Sequence, residues 1–213
     1  EILRYIPIAA VGTLGDAVPV TGDNRILVKY GMEHLCGGQW IGMETLINRI
    51  NGGRKEKLEL TSTFILFYLV PKLNAAGRLG NAERAFRLLI AEDAEEAAHL
   101  AEELMAENSR RQATEAEITE QAMKPENILT AESDSVVIAV GEGWHPGVIG
   151  IVASRLVEKY KKPAFVLVKE ADGTAKGSAR SVKGFHLHRA LSECSELLER
   201  FGGHEMAAGL CVK

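Results

Sequence analysis

Hydrophobic positions divide the sequence into a mainly helical first part and a last third of alternating strands and helices. Apolar residues recur every three or four positions over residues 24–35 and 43–50, a spacing that predicts two short amphipathic helices. The apolar run before them, in residues 6–20, predicts either a short buried strand or a helix end that leads into a turn.

The next segments predict a buried helix, a break and a long exposed helix. Residues 61–73 are rich in Phe, Leu and Ile and predict a buried helix, whereas the glycine and small residues of 74–80 predict that it stops there. Asn81 is expected to cap a helix to about residue 91, and Asp93 a long one to about residue 123. On that long helix we expect the acids and glutamines to face water, with a thin apolar stripe typical of a connector between domains.

The last third alternates between strand and helix patterns. Residues 135–140 are apolar and β-branched, which predicts a strand buried on both faces, and residues 146–160 predict a helix that begins with a proline. Further strands are expected over 164–168, 174–179 and 206–212, with one or two helices over 187–201. The fold class that follows is α/β, with a helical region and long connector helix before a small α/β domain from residue 128.

Charge and cysteine content limit the classes of function. The 213 residues carry a net charge of −4, but residues 92–120 hold ten acids and two bases, so the rest of the chain carries +4 and can form basic patches. No apolar run approaches the roughly 20 residues that cross a bilayer, so we expect no membrane association. The three cysteines lie far apart, which predicts inert thiols and a cytoplasmic location.

Two segments of the helical part carry candidate chemistry. Asp16 follows an apolar run and stands among small residues, so its carboxylate is either a ligand for a hard cation such as Mn²⁺ or Mg²⁺ or an ordinary turn residue. The small residues around Asn74 and Arg78 would let a phosphate approach the backbone and allow Arg78 to bind it in a bidentate manner. An inter-helix turn with an exposed arginine is the alternative.

Three loops of the α/β part have residues suited to anions. His145 precedes a helix whose first N–H groups could bind phosphate, although a capping histidine is the competing interpretation. Ser178 and Arg180 end a strand, and His204 follows two glycines that are expected to join a helix to the last strand. Such strand ends usually carry the ligands of α/β folds, whereas each loop alone could be an ordinary turn.

The set of motifs resembles the RecJ family of the DHH phosphoesterase superfamily. The matching segments occur in the family's order and run through nearly the whole chain: LGDAVPV (14–20) with Asn24-Arg25, PKLNAAGRL (71–79), GWHPGVIGIVASRL (143–156), GSARS (177–181) and FGGHEMAAG (201–209). The resemblance implies a 5′-to-3′ exonuclease for single-stranded DNA that acts in repair and recombination with two Mn²⁺ or Mg²⁺ ions. Single-strand-binding protein remains an open candidate partner.

The resemblance also implies a role for each candidate residue. Asp16 matches a catalytic metal ligand, Asn74 and Arg78 match phosphate and strand binders, and Ser178, Arg180, His204 and His145 match positions of the substrate-binding domain. By the same pattern, residues 1–23 are the end of the catalytic domain, 24–127 a helical connecting region and 128–213 an incomplete DHH-associated domain. The Asp-His-His signature is absent, so we expect an internal fragment that hydrolyses nothing by itself.

Other functions stay open at the level of sequence. A phosphodiesterase for short oligonucleotides or cyclic dinucleotides would share the glycine-glycine-histidine segment. A non-catalytic RNA-binding module and a structural partner in the replication machinery are the remaining alternatives. For single-stranded DNA, physical reasoning predicts contacts to the backbone and base stacking on an aromatic side chain, for which Trp144 is the candidate.

Overall fold

The structure, a computed structural model, describes residues 2–52, 59–130 and 132–213. The chain separates into two units, residues 1–110 (the N-terminal unit) and residues 111–213 (the C-terminal unit). The division falls inside the long helix predicted as a connector, so that helix contributes to both units. The domain boundaries after residues 23 and 127 stay predictions.

The described part of the N-terminal unit is helical. A 3₁₀ turn (Ile2–Tyr5) comes first, and a π-helical segment (Ile65–Leu69) separates the fourth helix from the fifth. The α-helices are α1 (Ile6–Gly15), α2 (Gly22–Glu33), α3 (Ile41–Asn51), α4 (Ser62–Phe64), α5 (Val70–Leu79), α6 (Glu83–Ile90) and the first part of α7 (Ala94–Ala122). The two amphipathic helices are confirmed, and residues 6–15 take the helical alternative.

The predicted helix break at residues 74–80 is wrong, because α5 continues to Leu79. Ala75 and Ala76 are fully buried, and their small side chains let the helix pack closely against its neighbours. Tertiary packing therefore outweighs the low helix propensity of the segment. Asn74 and Arg78 lie on the exposed side of the same helix.

Close helix crossings hold the N-terminal core together. Gly42 of α3 meets the backbone of α6 at Leu88, and Gly31 of α2 meets Ile6 and Ala10. Around these crossings the core contains large side chains that are fully buried, among them Leu35, Met43, Leu46, Ile65, Leu69, Leu88 and Leu104. The apolar face of α7 completes this core with alanines and leucines.

The expectation that the acids of α7 face water is wrong for Glu107 and Glu115. In the N-terminal unit, Glu107 is buried and its Oε1 accepts a hydrogen bond from Arg84. In the C-terminal unit, Glu115 is buried between Arg111, at 2.6 Å, and Arg155, at 3.1 Å. Arginines compensate these carboxylates, which an apolar environment would otherwise not tolerate.

A five-stranded sheet forms the centre of the C-terminal unit. Its strands are β1 (Val137–Glu142), β2 (Ala164–Lys169), β3 (Ala175–Arg180), β4 (Leu198–Gly203) and β5 (Ala207–Val212), in the order β1-β2-β3-β5-β4. β1 and β2 are parallel and joined by α8 (Pro146–Tyr160), whereas the other neighbours pair antiparallel. The predicted α/β class is confirmed, as are the strands at 164–168, 174–179 and 206–212.

The segment after residue 187 corrects the prediction of one or two helices. Only Leu187–Glu193 forms a helix, α9, and a 3₁₀ turn (Ser195–Leu197) leads into β4. β4 pairs with β5 at the edge of the sheet, and this pairing outweighs the local preference that favoured a helix. β1 is also less buried than expected, since Ile138 and Val140 are half-buried.

The two faces of the sheet are covered to different extents. On one face α8 packs over β2 and β3, and on the other α9 packs Leu187 and Leu191 against Ala179, Leu198 and Ala208. The described helices include none that is both long and apolar enough to cross a membrane.

Candidate functional site

The N-terminus of α8 is capped by His145. Its Nδ1 accepts a hydrogen bond from the Gly147 N–H at 3.1 Å, and Pro146 occupies the first turn. Because Nδ1 is the acceptor, the neutral imidazole carries its proton on Nε2. A half-buried donor thus lies beside the helix N-terminus, where backbone N–H groups favour an anion.

Ser178 and Arg180 lie together on the face of β3 that α8 covers. The Arg180 Nη1 donates to Ser178 Oγ at 3.3 Å and to the Ala179 carbonyl at 2.8 Å. A Cβ at Gly150 of α8 would lie 3.0 Å from both Arg180 Nη2 and Ser178 Oγ, so glycine permits this close approach. The guanidinium and the hydroxyl are held between strand and helix, and both are half-buried.

His204 lies in the turn that joins β4 to β5. The His204 backbone N–H donates to the Ala207 carbonyl at 2.8 Å, and the imidazole is exposed. The preceding Gly203 has φ +144°, and a Cβ there would lie 2.3 Å from the Ala207 carbonyl oxygen, so the turn requires glycine. The two glycines therefore end a strand, where we predicted a helix. Ala207 pairs with Arg180, which brings the turn to the same end of the sheet.

In the N-terminal unit, Asp16 and Asn74 line one cavity of about 190 Å³. Asp16 follows the last turn of α1, so it ends a helix, and it is exposed. The next residue, Ala17, has φ +53°, a conformation that costs an L-residue about 1–2 kcal/mol. Arg78 lies one helical turn after Asn74 on α5 and is also exposed.

This cavity does not by itself fit a metal centre. Asp16 is the one carboxylate among its lining residues, which are otherwise apolar apart from glycines and Asn74. Within residues 2–52, 59–130 and 132–213, no three His, Cys, Asp or Glu side chains are grouped to hold a metal ion. The cavity supplies one carboxylate ligand, and we derive no chemical step through a metal.

Trp144 cannot serve as a stacking platform, contrary to the prediction. Its indole is buried, with an exposed fraction of 4%, and its Nε1–H donates to Gln121 Oε1 at 2.7 Å. The ring lies on Gly141, where a Cβ would approach within 2.2 Å. Trp144 instead holds the turn before His145 against the end of α7.

A shallow basin that sequence reasoning missed adjoins Ser178. It is lined by Lys176, Gly177, Arg200, Phe201, Gly202, Gly209, Leu210 and Cys211 and has a volume of about 400 Å³. Alternation along the predicted strand 174–179 places Lys176 on the same face as Ser178, so this cation could have been found. Arg200 could not, because its segment was predicted to be helical.

The pKa values of the Cys36 and Cys211 thiols are raised. A hydrogen bond to the Glu199 carboxylate, at 3.3 Å, is the main cause for Cys211, whereas for Cys36 the main cause is partial desolvation of a side chain that stays accessible to solvent. A raised pKa keeps a thiol protonated and weakly nucleophilic. Neither cysteine is a candidate nucleophile. Cys36 and Cys194 are exposed, and Cys211 is buried.

Comparison with protein families matches residues 133–213 to the DHHA1 domain. The chain is 42% identical over 211 residues to the single-stranded-DNA-specific exonuclease RecJ of Bacillus subtilis and 37% identical over 210 residues to that of Thermus thermophilus. Each match covers 99% of this chain, but 26% and 29% of the respective relative. The chain thus spans less than a third of the length of these two relatives.

Solved structures give the same likeness. The structure superposes on RecJ from Thermus thermophilus in complex with Mn²⁺ with a TM-score of 0.87 and 36% identity, covering 99% of this chain and 30% of that one. A manganese-bound exonuclease RecJ gives a TM-score of 0.81 at 35% identity, with 99% and 51% covered. The two matches extend over nearly all of the present chain.

Proposed function

The chain belongs to the RecJ family of the DHH superfamily, and on that premise we propose that it is part of a 5′-to-3′ exonuclease for single-stranded DNA. The reaction is metal-dependent hydrolysis of phosphodiester bonds, in DNA repair and recombination. The observation that carries the proposal is the Ser178–Arg180 pair held against α8, because it offers a bidentate cation and a hydroxyl to a phosphate.

The C-terminal unit would hold the 5′-terminal phosphate. Arg180 supplies a forked donor, Ser178 a hydroxyl, and His145 an Nε2–H beside a helix N-terminus. His204 lies in an exposed turn at the end of the sheet that carries Arg180, where it can contact the terminal nucleotide. Such contacts recognise the backbone and read no base sequence.

The N-terminal unit would bind the strand through Asn74 and Arg78 and contribute Asp16 as one metal ligand. An aspartate carboxylate suits Mn²⁺ or Mg²⁺, and RecJ relatives have been crystallised with both ions. The other ligands of a two-metal centre would come from residues outside the described part of this chain. A cytoplasmic location and an interaction with single-strand-binding protein remain parts of the proposal.

The test is end-labelled single-stranded DNA with a 5′ phosphate, incubated with Mn²⁺ and either the natural full-length protein or the 213-residue chain. We expect the full-length protein to shorten the strand stepwise from its 5′ end and to spare a blunt duplex. We expect the 213-residue chain to cleave nothing, because one carboxylate cannot assemble two metals.

The alternatives give other products in the same assay. A dinucleotide cleaved by the full-length protein in preference to the long strand would favour the oligonucleotide phosphodiesterase. Binding without cleavage by the full-length protein would favour a nucleic-acid-binding module. Cleavage of long DNA by the 213-residue chain, lost in Asp16→Ala, would overturn the expected inactivity of the chain.

The 213-residue chain is still expected to bind single-stranded DNA, and more weakly as salt rises. Lys and Arg contacts to phosphates release counterions, so the logarithm of the binding constant should fall linearly with that of the salt concentration, by about 0.7 per phosphate neutralised. Fluorescence anisotropy of a labelled oligonucleotide between 50 and 200 mM salt, roughly the range over which this effect is large, measures the slope. A flat dependence would contradict phosphate recognition by this chain.

A further inference from the structure

The sheet continues beyond Ser178 and Arg180 as an open, basic floor. Lys176, Ser178 and Arg180 alternate along β3 and so project from the same face. Across β3, β5 and β4, Ser178 pairs with Gly209 and Gly209 with Gly202, which we call the glycine row. In the next row, Lys176 pairs with Cys211 and Cys211 with Arg200. Directly paired residues share a face, so these rows lie side by side.

Nothing in the described chain covers the glycine row. A Cβ at Gly202 would meet no atom within 4 Å, and one at Gly209 only the Gly177 carbonyl oxygen at 3.9 Å. Neither glycine has a positive φ, so the backbone does not require glycine at these positions. The glycines leave open space over the sheet. The resulting basin of about 400 Å³ includes Gly209, the residue paired with Ser178, and so begins beside that serine.

Two cations border this space at the end away from Arg180. Lys176 is half-exposed and forms a 3.0 Å ion pair with Glu170, an exposed pair of the kind that contributes little and exchanges readily. No described carboxylate lies within ion-pair distance of Arg200. Its neighbour in sequence, Glu199, accepts a hydrogen bond from the Cys211 thiol. Among the residues that line the basin, the charged ones are therefore both cations, while the carboxylates of Glu170 and Glu199 stand beside it.

We propose that this basin is a subsite for additional 5′ phosphates, so that the chain accepts strands that end in a 5′ di- or triphosphate. The inference rests on the proposed function, in which Ser178 and Arg180 hold the terminal phosphate. Ser178 and Lys176 lie two residues apart on β3, about 7 Å along the strand, a distance that two further phosphoryl groups can span. Lys176 and Arg200 then bind the added charge over a floor that offers no steric barrier.

Binding of three otherwise identical oligonucleotides to the 213-residue chain tests the subsite. They carry a 5′ hydroxyl, a 5′ monophosphate or a 5′ triphosphate. We expect the triphosphate strand to bind about tenfold more tightly than the monophosphate strand, because charge-assisted contacts are the strong ones. Lys176→Ala with Arg200→Ala should abolish that difference and leave the monophosphate strand unchanged.

Two further variants separate the subsite from general electrostatics. Gly209→Val fills the floor without removing charge and should also lower binding of the triphosphate strand alone. Lys124→Ala removes a cation that does not line the basin and should leave the binding of the monophosphate and triphosphate strands unchanged. Equal binding of triphosphate and monophosphate strands, both tighter than the hydroxyl strand, would overturn the subsite and leave the terminal-phosphate site standing. If the double variant lost the same affinity for all three strands, the subsite would also be overturned, because Lys176 and Arg200 would then contact phosphates along the DNA backbone and not the added 5′ phosphates.

Equal binding of all three strands by the unaltered chain would mean that no terminal phosphate is recognised. That result would contradict both the terminal-phosphate site and the subsite.

Discussion

Arg180→Ala is expected to weaken binding of 5′-phosphorylated single-stranded DNA by 10- to 100-fold. The guanidinium is aligned by the Ser178 hydroxyl and the Ala179 carbonyl and lies against Gly150, so it is oriented before the ligand arrives. A charge-assisted hydrogen bond contributes about 1.5–3 kcal/mol, which corresponds to roughly one to two orders of magnitude in affinity. A strand with a 5′ hydroxyl should lose much less.

Titrations of both strands by fluorescence anisotropy measure this discrimination. Arg180→Lys is the conservative variant, since it keeps the charge but not the fork, and should restore part of the preference for the 5′ phosphate. Arg155→Ala removes a more exposed arginine of the same unit, which forms ion pairs with Glu115 and Glu158, and should leave the preference intact. If Arg180→Ala weakened both strands equally, Arg180 would be a general strand contact and not a receptor for the terminal phosphate.

Local sequence signals located the capped N-terminus of α8 and the strand that carries Ser178 and Arg180. The proline after His145 marks a helix start, and the β-branched run before it marks a strand, so the cap follows from nearest neighbours. The proximity of Gly150 to Arg180 could not be predicted in this way. It depends on how α8 packs over β3, which a periodic pattern does not specify.

The errors occur where tertiary contacts outweigh local preference. Residues 74–79 are helical, with Ala75 and Ala76 fully buried, because tertiary packing outweighs low helix propensity, and residues 198–203 form a strand because β5 provides a partner. The second error mattered for function, since it hid Arg200 from the candidate site. Trp144 was misjudged because an aromatic residue in a turn can equally be a buried anchor, and only the Gln121 contact decides between the two.

Glycines have two opposite structural roles in this chain, and Gly42 of α3 allows the role in helix packing to be tested by substitution. At Gly202 and Gly209 the missing side chain leaves open space, whereas at Gly42 it allows two helices to touch. A Cβ on Gly42 would lie 1.7 Å from the Leu88 carbonyl oxygen and 2.7 Å from its carbonyl carbon. Those are backbone atoms of α6, so no rotation of a side chain can relieve the overlap.

Gly42→Ala is therefore expected to lower the free energy of unfolding of the N-terminal unit by about 3 kcal/mol, the upper part of the usual range for overpacking. Gly12→Ala is the matched control: it makes the same change inside a helix where a Cβ meets nothing within 4 Å, and should raise stability by about 0.5–1 kcal/mol through helix propensity. Urea denaturation followed by circular dichroism at the helix band compares the two variants. Opposite shifts in the midpoint would establish that contact between α3 and α6, and not the propensity of glycine, decides stability at residue 42. A higher midpoint in both variants would mean that α6 can move away from α3 at little cost.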